Sequence, residues 1–339
     1  MRILRMVVIT CVLVGVIWTG STEISAAASD AQILKLAQAV YEAPSAHTDS
    51  VNRIAEAVAK RTDGRITFKV FGPELGDWTQ INELVKIGGI DMALNPISTD
   101  DPRWNINFCP YIVATYEEAR KVFGPGSVLV EEMYKTWAEE NQVVWLGAWI
   151  QGFTGISLST RPATTPEEAE GLKVRVPPME VIECYWEALG FIPMAIPFSE
   201  VPQAIQMGVV DGQAGGGPFQ TYSCCRDLNK YFVFYRDIVE IWAYTFNLEK
   251  WNAIDPEDQK IIQEVVNEEV LRRMDDARLE DEEYLQKLKD YGLTVVDLVD
   301  TPEKLDVAKT RARTCWGKMD EVVGKEWMDK LRAIVGESK

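Results

Sequence analysis

The chain has 339 residues, and its 52 acidic and 35 basic side chains give a formal net charge of −17 at neutral pH. Nucleic acids and anionic lipids attract basic surface patches, so this charge argues against both as partners. An anionic ligand would have to be held by a locally placed cation and not by the overall field.

The first 28 residues are typical of a signal peptide. Arg2 and Arg5 precede an apolar stretch of about a dozen residues, and small residues follow at positions 26–28. That stretch is shorter than the roughly 18 to 20 residues that span a bilayer, which disfavours the alternative of a membrane anchor. We therefore expect a periplasmic protein. Its mature part is long enough for two domains of about 150 residues each, and one compact domain is the alternative.

Two sets of alternating strands and helices follow. In the first set, helices near 46–62 and 78–87 separate the strands ILKLAQAVY, ITFKVF and IDMAL. In the second set, helices near 179–189 and 199–207 separate the strands LKVRVP, IPMAI and VVDGQA. This alternation is typical of parallel sheets with crossover helices, so we predict an α/β fold.

The remaining segments connect or cover these two sets. VVWLGAWI and FTGISLS are apolar and extended, and YFVFY and IVEIWAYTFNL predict further strands. A helix of about 30 residues is expected to begin at Asp255 and Pro256, which suit a helix cap and first turn. We assign α/β domain I to residues 29–150, with C-terminal segments returning to it. α/β domain II is assigned to residues 151–250, and a helical region that packs across both domains to residues 251–339.

The motifs of common enzymes are absent from the sequence. It contains no P-loop, HExxH, GxSxG or Cys-x-x-Cys pattern, and His47 is its only histidine. We expect no enzymatic activity, no metal and no cofactor. The cysteines beyond the signal peptide fit no zinc spacing and are expected to be mostly buried thiols, with one or two disulfides conceivable: Cys109, Cys184, Cys224, Cys225 and Cys315. The adjacent Cys224 and Cys225 cannot easily bond each other without strain.

Arg175 lies inside the apolar strand LKVRVP. A buried guanidinium without a partner is costly, so something must satisfy it. Its planar fork suits two parallel hydrogen bonds to a carboxylate or a similar oxyanion. From the chemistry alone, an internal salt bridge is the more ordinary explanation.

The sequence resembles the periplasmic solute-binding proteins of TRAP transporters, of the DctP type. The motifs that carry the resemblance are KRTDGRITFKVFGPELG, GLKVRVP, ALGFIPMAIPFSEVPQAIQMGVVDGQ and NKYF, in that order. The resemblance implies a two-domain periplasmic binding protein fold with hinge-crossing strands and a long C-terminal helix. It also implies a monomer that captures a small organic anion in the cleft between its domains and delivers it to the membrane permease subunits.

Within that family, Arg175 corresponds to the arginine that usually binds the ligand carboxylate. Phe198 matches an aromatic residue that often lines the pocket, with packing in the core as the alternative. Asn95 matches a position that commonly faces the ligand. His47 matches a position near the cleft, or only tethers the backbone before a helix.

Two positions depart from the family pattern. Gly155 stands where many members carry a second arginine, and Gly215 where an asparagine often hydrogen-bonds the carboxylate. These glycines either enlarge the site and offer backbone N–H groups to the ligand, or shape a tight turn. Trp149, Phe153 and Phe219 lie nearby in sequence and could form a flat wall for an aromatic or bulky acid, or serve as ordinary core residues.

Arg236 is a second candidate cation. It would suit a sulfonate or a dicarboxylate, although pairing with Asp237 or a surface carboxylate is the alternative. Small hydroxy or keto acids and sulfonates also remain open as ligands. A ligand-sensing protein that engages a receptor would use the same pocket.

Overall fold

The computed structural model describes residues 31–39, 41, 44–96 and 102–334. The predicted signal peptide, residues 1–28, lies outside the described residues. The strands are, in chain order, β1 (Gln32–Gln38), β2 (Ile66–Phe71), β3 (Met92–Pro96), β4 (Val143–Phe153), β5 (Gly155–Leu158), β6 (Lys173–Val176), β7 (Ile192–Ala195), β8 (Gly212–Gly216), β9 (Tyr231–Phe234), β10 (Val239–Asn247) and β11 (Thr294–Asp297).

Helices cover both sheets. The α-helices are α1 (Ala46–Arg61), α2 (Trp78–Lys86), α3 (Tyr116–Phe123), α4 (Lys135–Glu140), α5 (Pro166–Ala169), α6 (Glu180–Ala188), α7 (Val201–Gln206), α8 (Pro218–Gln220), α9 (Leu248–Asn252), α10 (Pro256–Tyr291), α11 (Pro302–Arg313), α12 (Trp316–Met319) and α13 (Lys325–Ile334). Tighter 3₁₀ turns occur at Pro73–Leu75, Pro102–Phe108, Phe198–Glu200 and Leu298–Asp300. Wider π turns occur at Leu129–Tyr134, Thr221–Cys225 and Asp320–Gly324.

The strands form two mixed sheets. The first has the order β2-β1-β3-β10-β4, with β1 parallel to β2 and β3 and with β10 antiparallel to β3 and β4. The second has the order β11-β9-β5-β8-β6-β7, with β6 parallel to β7 and β8, and β5 antiparallel to its neighbours. The predicted α/β class is thereby confirmed, because helices connect the parallel strands as crossover units.

The chain passes directly from one sheet to the other. β4 ends at Phe153 and β5 begins at Gly155, so Thr154 alone separates a strand of the first sheet from a strand of the second. The backbone N–H of Thr154 donates to the Ile238 carbonyl at 2.8 Å, where the chain returns from β9 to β10. β10 falls within the range predicted for domain II, yet it pairs in the first sheet; the domain ranges themselves stay a prediction.

The long helix α10 begins and ends on strong local signals. The side chain of Asp255 accepts the backbone N–H of Glu257, and Pro256 occupies the first turn. The helix ends at Gly292, whose positive φ of 109° is the left-handed conformation that glycine adopts most easily. The predicted long C-terminal helix is confirmed. It packs against β4 and α1 beside the first sheet and against β11 of the second.

The expectation of mostly free thiols is wrong. Cys184 of α6 forms a disulfide with Cys315, just before α12, across a Cα separation of 6.0 Å that suits such a bond. Cys224 and Cys225 are joined to each other in the π turn. Their sulfurs lie 3.8 and 3.5 Å from Oε1 of Gln213. The Cys184–Cys315 pair could not be predicted from the sequence, because its members are 131 positions apart and meet only through the packing of distant helices.

None of the helices in the described part of the chain combines the length and the apolar character needed to cross a membrane. Within the same residues, no group of three or more histidine, cysteine, aspartate and glutamate side chains is placed to hold a metal ion.

Candidate ligand-binding site

Arg175 lies on β6 beside Gln213 of β8, and only 4% of it is exposed. Its Nε donates to the Ile196 carbonyl at 2.7 Å, and its guanidinium lies over the Phe198 ring, 5.8 Å from the centroid. Among the described residues, no carboxylate forms an ion pair with it. Burial lowers the pKa of Arg175 to about 10, so the group stays protonated at neutral pH. The terminal nitrogens of this cation therefore remain available to an anion.

Glu240 of β10 is a carboxylate that acts electrostatically on Arg175. Its Oε2 accepts from Gln220 Nε2 at 2.8 Å, and its Oε1 accepts from Trp242 Nε1 at 3.1 Å. Burial raises the pKa of Glu240 to about 7, although these hydrogen bonds and the charge of Arg175 act in the opposite direction. Sequence reasoning missed this residue, yet the signal was the one used for Arg175, a charge inside an apolar strand.

Tyr41 and His47, which belong to the part of the chain around the first sheet, lie close to residues of the candidate site. Tyr41 follows β1, and its ring centroid lies 5.0 Å from that of Phe219 and 5.9 Å from that of Trp242. His47 lies on the buried face of α1, a helix that begins after the capping Ser45. Residues that follow or flank the first sheet thus meet Phe219 of α8, the short helix after β8 of the second sheet.

His47 is a neutral acceptor in this environment. Its Nε2 lies 2.8 Å from Oε1 of Gln151, which can only accept, so the ring hydrogen is on Nε2. Burial, and then the charge of Arg273, lowers the pKa of His47 to about 3. Its buried Nδ1 finds no hydrogen-bond partner among the described residues.

The three predicted wall aromatics differ in how far they are buried. Trp149 is fully buried, with its ring 4.3 Å from His47 and its Nε1 donating to Ser50 Oγ at 2.9 Å. Phe153 is fully buried and packs edge-on against Tyr116 at 4.9 Å. Phe219 keeps part of its surface exposed. The burial of Trp149 and Phe153, both on β4, fits the alternative of ordinary core residues, and a flat wall for a bulky acid stays a prediction.

The two glycines that depart from the family pattern have different roles. A Cβ on Gly155 would lie 2.5 Å from the Val233 carbonyl, so this glycine permits a close approach of β5 to β9 and leaves no room for a side chain. Gly215 has φ +81°, and a Cβ there would make ordinary contact with Pro177 at 3.4 Å. Gly215 is partly exposed and lies beside the end of the strand that carries Arg175. The positive φ of Gly215, at an irregularity in the pairing of β8 with β5, and not lack of space, favours glycine at 215.

Asn95 and Arg236 have partners within the chain. Asn95 is buried on β3, and its Nδ2 donates to the Trp78 carbonyl at 2.6 Å; it lines a cavity of about 30 Å³. Arg236 forms a bidentate pair with Asp297 of β11, with N···O distances of 3.1 and 2.7 Å. The partner of Arg236 is therefore Asp297 and not the adjacent Asp237. The Nε and Nη2 donors of Arg236, which a ligand carboxylate would need, are both used by Asp297.

A hollow of about 450 Å³ opens at the carboxyl ends of β1 and β2, and sequence reasoning did not find it. Its size is in the range of sites for small organic molecules. Gln38 ends β1 at this hollow, and its Nε2 donates to the Tyr41 carbonyl at 2.6 Å. The full lining is Gln38, Thr48, Val70, Phe71, Gly72, Pro73 and Glu74.

Comparisons with known proteins fit this arrangement. A family model named DctP, described as bacterial extracellular solute-binding protein, family 7, matches residues 37–321. The C4-dicarboxylate-binding periplasmic protein DctP of Rhodobacter capsulatus is 25% identical over 292 residues, which cover 84% of this chain and 86% of that protein.

Solved structures share the fold. A TRAP periplasmic solute-binding protein of Sulfitobacter sp. NAS-14.1, with bound β-D-galacturonate, matches with a TM-score of 0.79 at 20% identity, covering 90% of this chain and 100% of that one. The periplasmic ectoine-binding protein of a TRAP transporter of Halomonas elongata matches with a TM-score of 0.79 at 22% identity, covering 90% and 99%.

Proposed function

The chain belongs to the DctP family of bacterial extracellular solute-binding proteins, a family of binding proteins and not of enzymes, and we propose that it serves a TRAP transporter. It captures a small organic anion by its carboxylate in the periplasm and delivers it, chemically unchanged, to the membrane permease subunits. The relative from Sulfitobacter holds β-D-galacturonate, and the relative from Halomonas is an ectoine-binding protein; both compounds are small organic molecules with a carboxylate.

The observation that carries the proposal is the state of Arg175. It is a protonated guanidinium, almost fully buried, with one internal hydrogen bond and no ion pair among the described residues. Such a group is costly unless its remaining donors find an acceptor, and a ligand carboxylate supplies two oxygens in the geometry of the fork. The Phe198 ring lies against one side of the guanidinium, 5.8 Å from its central carbon.

The placement of the site supports capture by closure. Arg175, Phe198, Gly215 and Phe219 belong to the second sheet and its loops, whereas Tyr41 follows a strand of the first. A ligand held between the two halves favours the closed state by its differential affinity for it. We propose that the two halves are the predicted domains and that Thr154 lies at their hinge.

Two features support the periplasmic address and the expected partners. The Cys184–Cys315 disulfide is typical of proteins in oxidising compartments such as the periplasm. The net charge of −17 argues against binding to anionic membranes or nucleic acid. We propose that the mature protein is a monomer whose closed, loaded form is recognised by the permease.

The test is binding of organic acids to the purified mature chain, by thermal shift and then by calorimetry. Arg175→Ala should weaken binding of any stabilising acid at least about 30-fold, because it removes one partner of a buried charge pair. Arg175→Lys should retain part of the affinity, since it keeps the charge and loses the fork.

Arg236→Ala is the matched control, because Arg236 is already paired with Asp297. This substitution should leave the ligand affinity within about threefold of the wild-type value. Mass spectrometry of the released ligand should find it unaltered. Unchanged affinity in Arg175→Ala, or stabilisation by neutral sugars alone, would refute the proposal.

A further inference from the structure

Glu240 is a carboxylate in the proposed site that no cation within the described part of the chain neutralises by contact. It accepts one hydrogen bond from Gln220 and one from Trp242, both from uncharged donors. Among the described residues, no lysine or arginine forms an ion pair with it. A carboxylate offers about four lone-pair sites, so acceptor capacity remains. Glu240 also keeps part of its surface exposed, unlike the core residues on either side of it in β10.

Two more acceptors near the first sheet lack donors. Nδ1 of His47 is buried and, within the described chain, has no partner. Oε1 of Gln38, at the end of β1, is in the same state. Tyr41 links the three acceptors, since Gln38 donates to its carbonyl, its ring lies 4.7 Å from that of His47, and the charge of Glu240 acts on its hydroxyl. This half of the site therefore needs donors, whereas the Arg175 half needs an acceptor.

The charges of the site point in the same direction. Arg175 contributes one positive charge and Glu240 one negative charge, so the protein side of the site is neutral when both are ionised. With Glu240 ionised, a simple monoanion would leave the closed site with an uncompensated buried charge, which is costly, and a cation on the ligand would itself favour that ionised form. A ligand that carries both a carboxylate and a cation would leave it neutral.

We infer that the ligand is a zwitterion, an amino-carboxylate whose carboxylate is bound by Arg175 and whose protonated nitrogen is bound by Glu240. This inference rests on the proposed function and narrows it, because it selects among the organic acids that Arg175 can hold. Glu240 thus acts as a specificity-determining residue.

The experiment compares acids that differ only at one substituent. Each set contains an amino acid, the hydroxy acid and the unsubstituted acid of the same skeleton: phenylalanine, 3-phenyllactate and 3-phenylpropanoate; alanine, lactate and propanoate; glutamate, 2-hydroxyglutarate and glutarate. Affinities are measured by calorimetry on the mature wild-type chain. In the sets that bind, the amino acid should bind at least about tenfold more tightly than the unsubstituted acid, which is the effect of one charge-assisted hydrogen bond.

Glu240→Gln keeps the shape and the acceptor oxygen but removes the charge, and it should reduce that preference to less than about threefold. The wild-type comparison alone decides the inference if this variant does not fold. Equal or tighter binding of the hydroxy or unsubstituted acids to the wild type would overturn the zwitterion inference. If those acids still depend on Arg175, the proposed function stands; if no acid binds, or none depends on Arg175, both fail.

Discussion

Asp281 of α10 holds the end of β4, and replacing it should change how stability depends on pH. Its carboxylate accepts the Tyr116 hydroxyl and, at 2.9 Å, the backbone N–H of Phe153, and only 5% of it is exposed. Burial raises the pKa of Asp281 to about 7, although these hydrogen bonds and the charge of Arg273 act against the rise. In the unfolded chain the same group has an ordinary pKa near 3.8.

The folded protein therefore holds a proton that the unfolded chain has already released between about pH 4 and pH 7. The stabilisation that this bound proton gives the folded protein is fully present below pH 4 and is lost as the pH rises through 7. One pKa unit corresponds to about 1.4 kcal/mol, so a shift of about three units corresponds to about 4 kcal/mol. Asp281→Asn does not titrate and keeps one acceptor oxygen. Relative to this variant, the wild type should lose up to about 4 kcal/mol between pH 4 and pH 8.

The assay is urea unfolding of both proteins at five pH values from 4 to 8, with the difference in free energy of unfolding plotted against pH. Other buried carboxyls with raised pKa values, such as Asp237 at about 6, titrate in both proteins and cancel in the difference. Asp306→Asn, at an exposed position of α11, is the control for the loss of one carboxylate elsewhere on the surface. Parallel curves for the wild type and Asp281→Asn would refute the assignment of a buried, protonated carboxyl.

Two further predictions use the same unfolding assay. Burial alone would raise the pKa of Glu269, but hydrogen bonds from Arg272, Arg53 and Ser50 lower it to about 2. The ionised Glu269 carboxylate stabilises the folded protein above about pH 4.5, and this stabilisation is lost as the pH falls towards 2. Glu269→Gln should therefore lower the free energy of unfolding least in acid, and a loss that grows as the pH falls would contradict this. Replacing Cys184 and Cys315 together by serine opens a loop with a sequence separation of 131 and should cost about 5 kcal/mol by loop entropy. A loss below about 1 kcal/mol would contradict it.

Local patterns were sufficient to predict most of the strands and helices. Alternation of short apolar runs with helical segments, separated by turn residues, predicted the chain order of strands and helices but not the order of strands within each sheet. The start of α10 followed from Asp255 and Pro256, because a cap and a first-turn proline act within a few residues. Arg175 was found for a similar reason, since a charge inside an apolar strand is visible in sequence.

The features that sequence could not supply depend on contacts between distant segments. The partner of Arg236 is Asp297, 61 residues away, and the adjacent Asp237 bonds Thr154 instead. The need for glycine at 155 arises from the Val233 carbonyl on a neighbouring strand. Glu240 is visible in sequence as a charge inside an apolar strand, but its place near Arg175 arises only because the fold brings β10 and β6 together. Such roles are set by packing, which local periodicity does not encode.

The passage from β4 to β5 through Thr154 alone has a mechanical consequence. A connection of one residue leaves no slack, so any reorientation of one sheet against the other must be concentrated in very few backbone torsions. Asp281 fixes the last residue of β4 from outside by accepting the N–H of Phe153. The backbone on one side of Thr154 is therefore held in place, which restricts the torsions that can change during a reorientation. Under the proposed function, substitutions there would alter the rate and range of closure without touching the captured molecule.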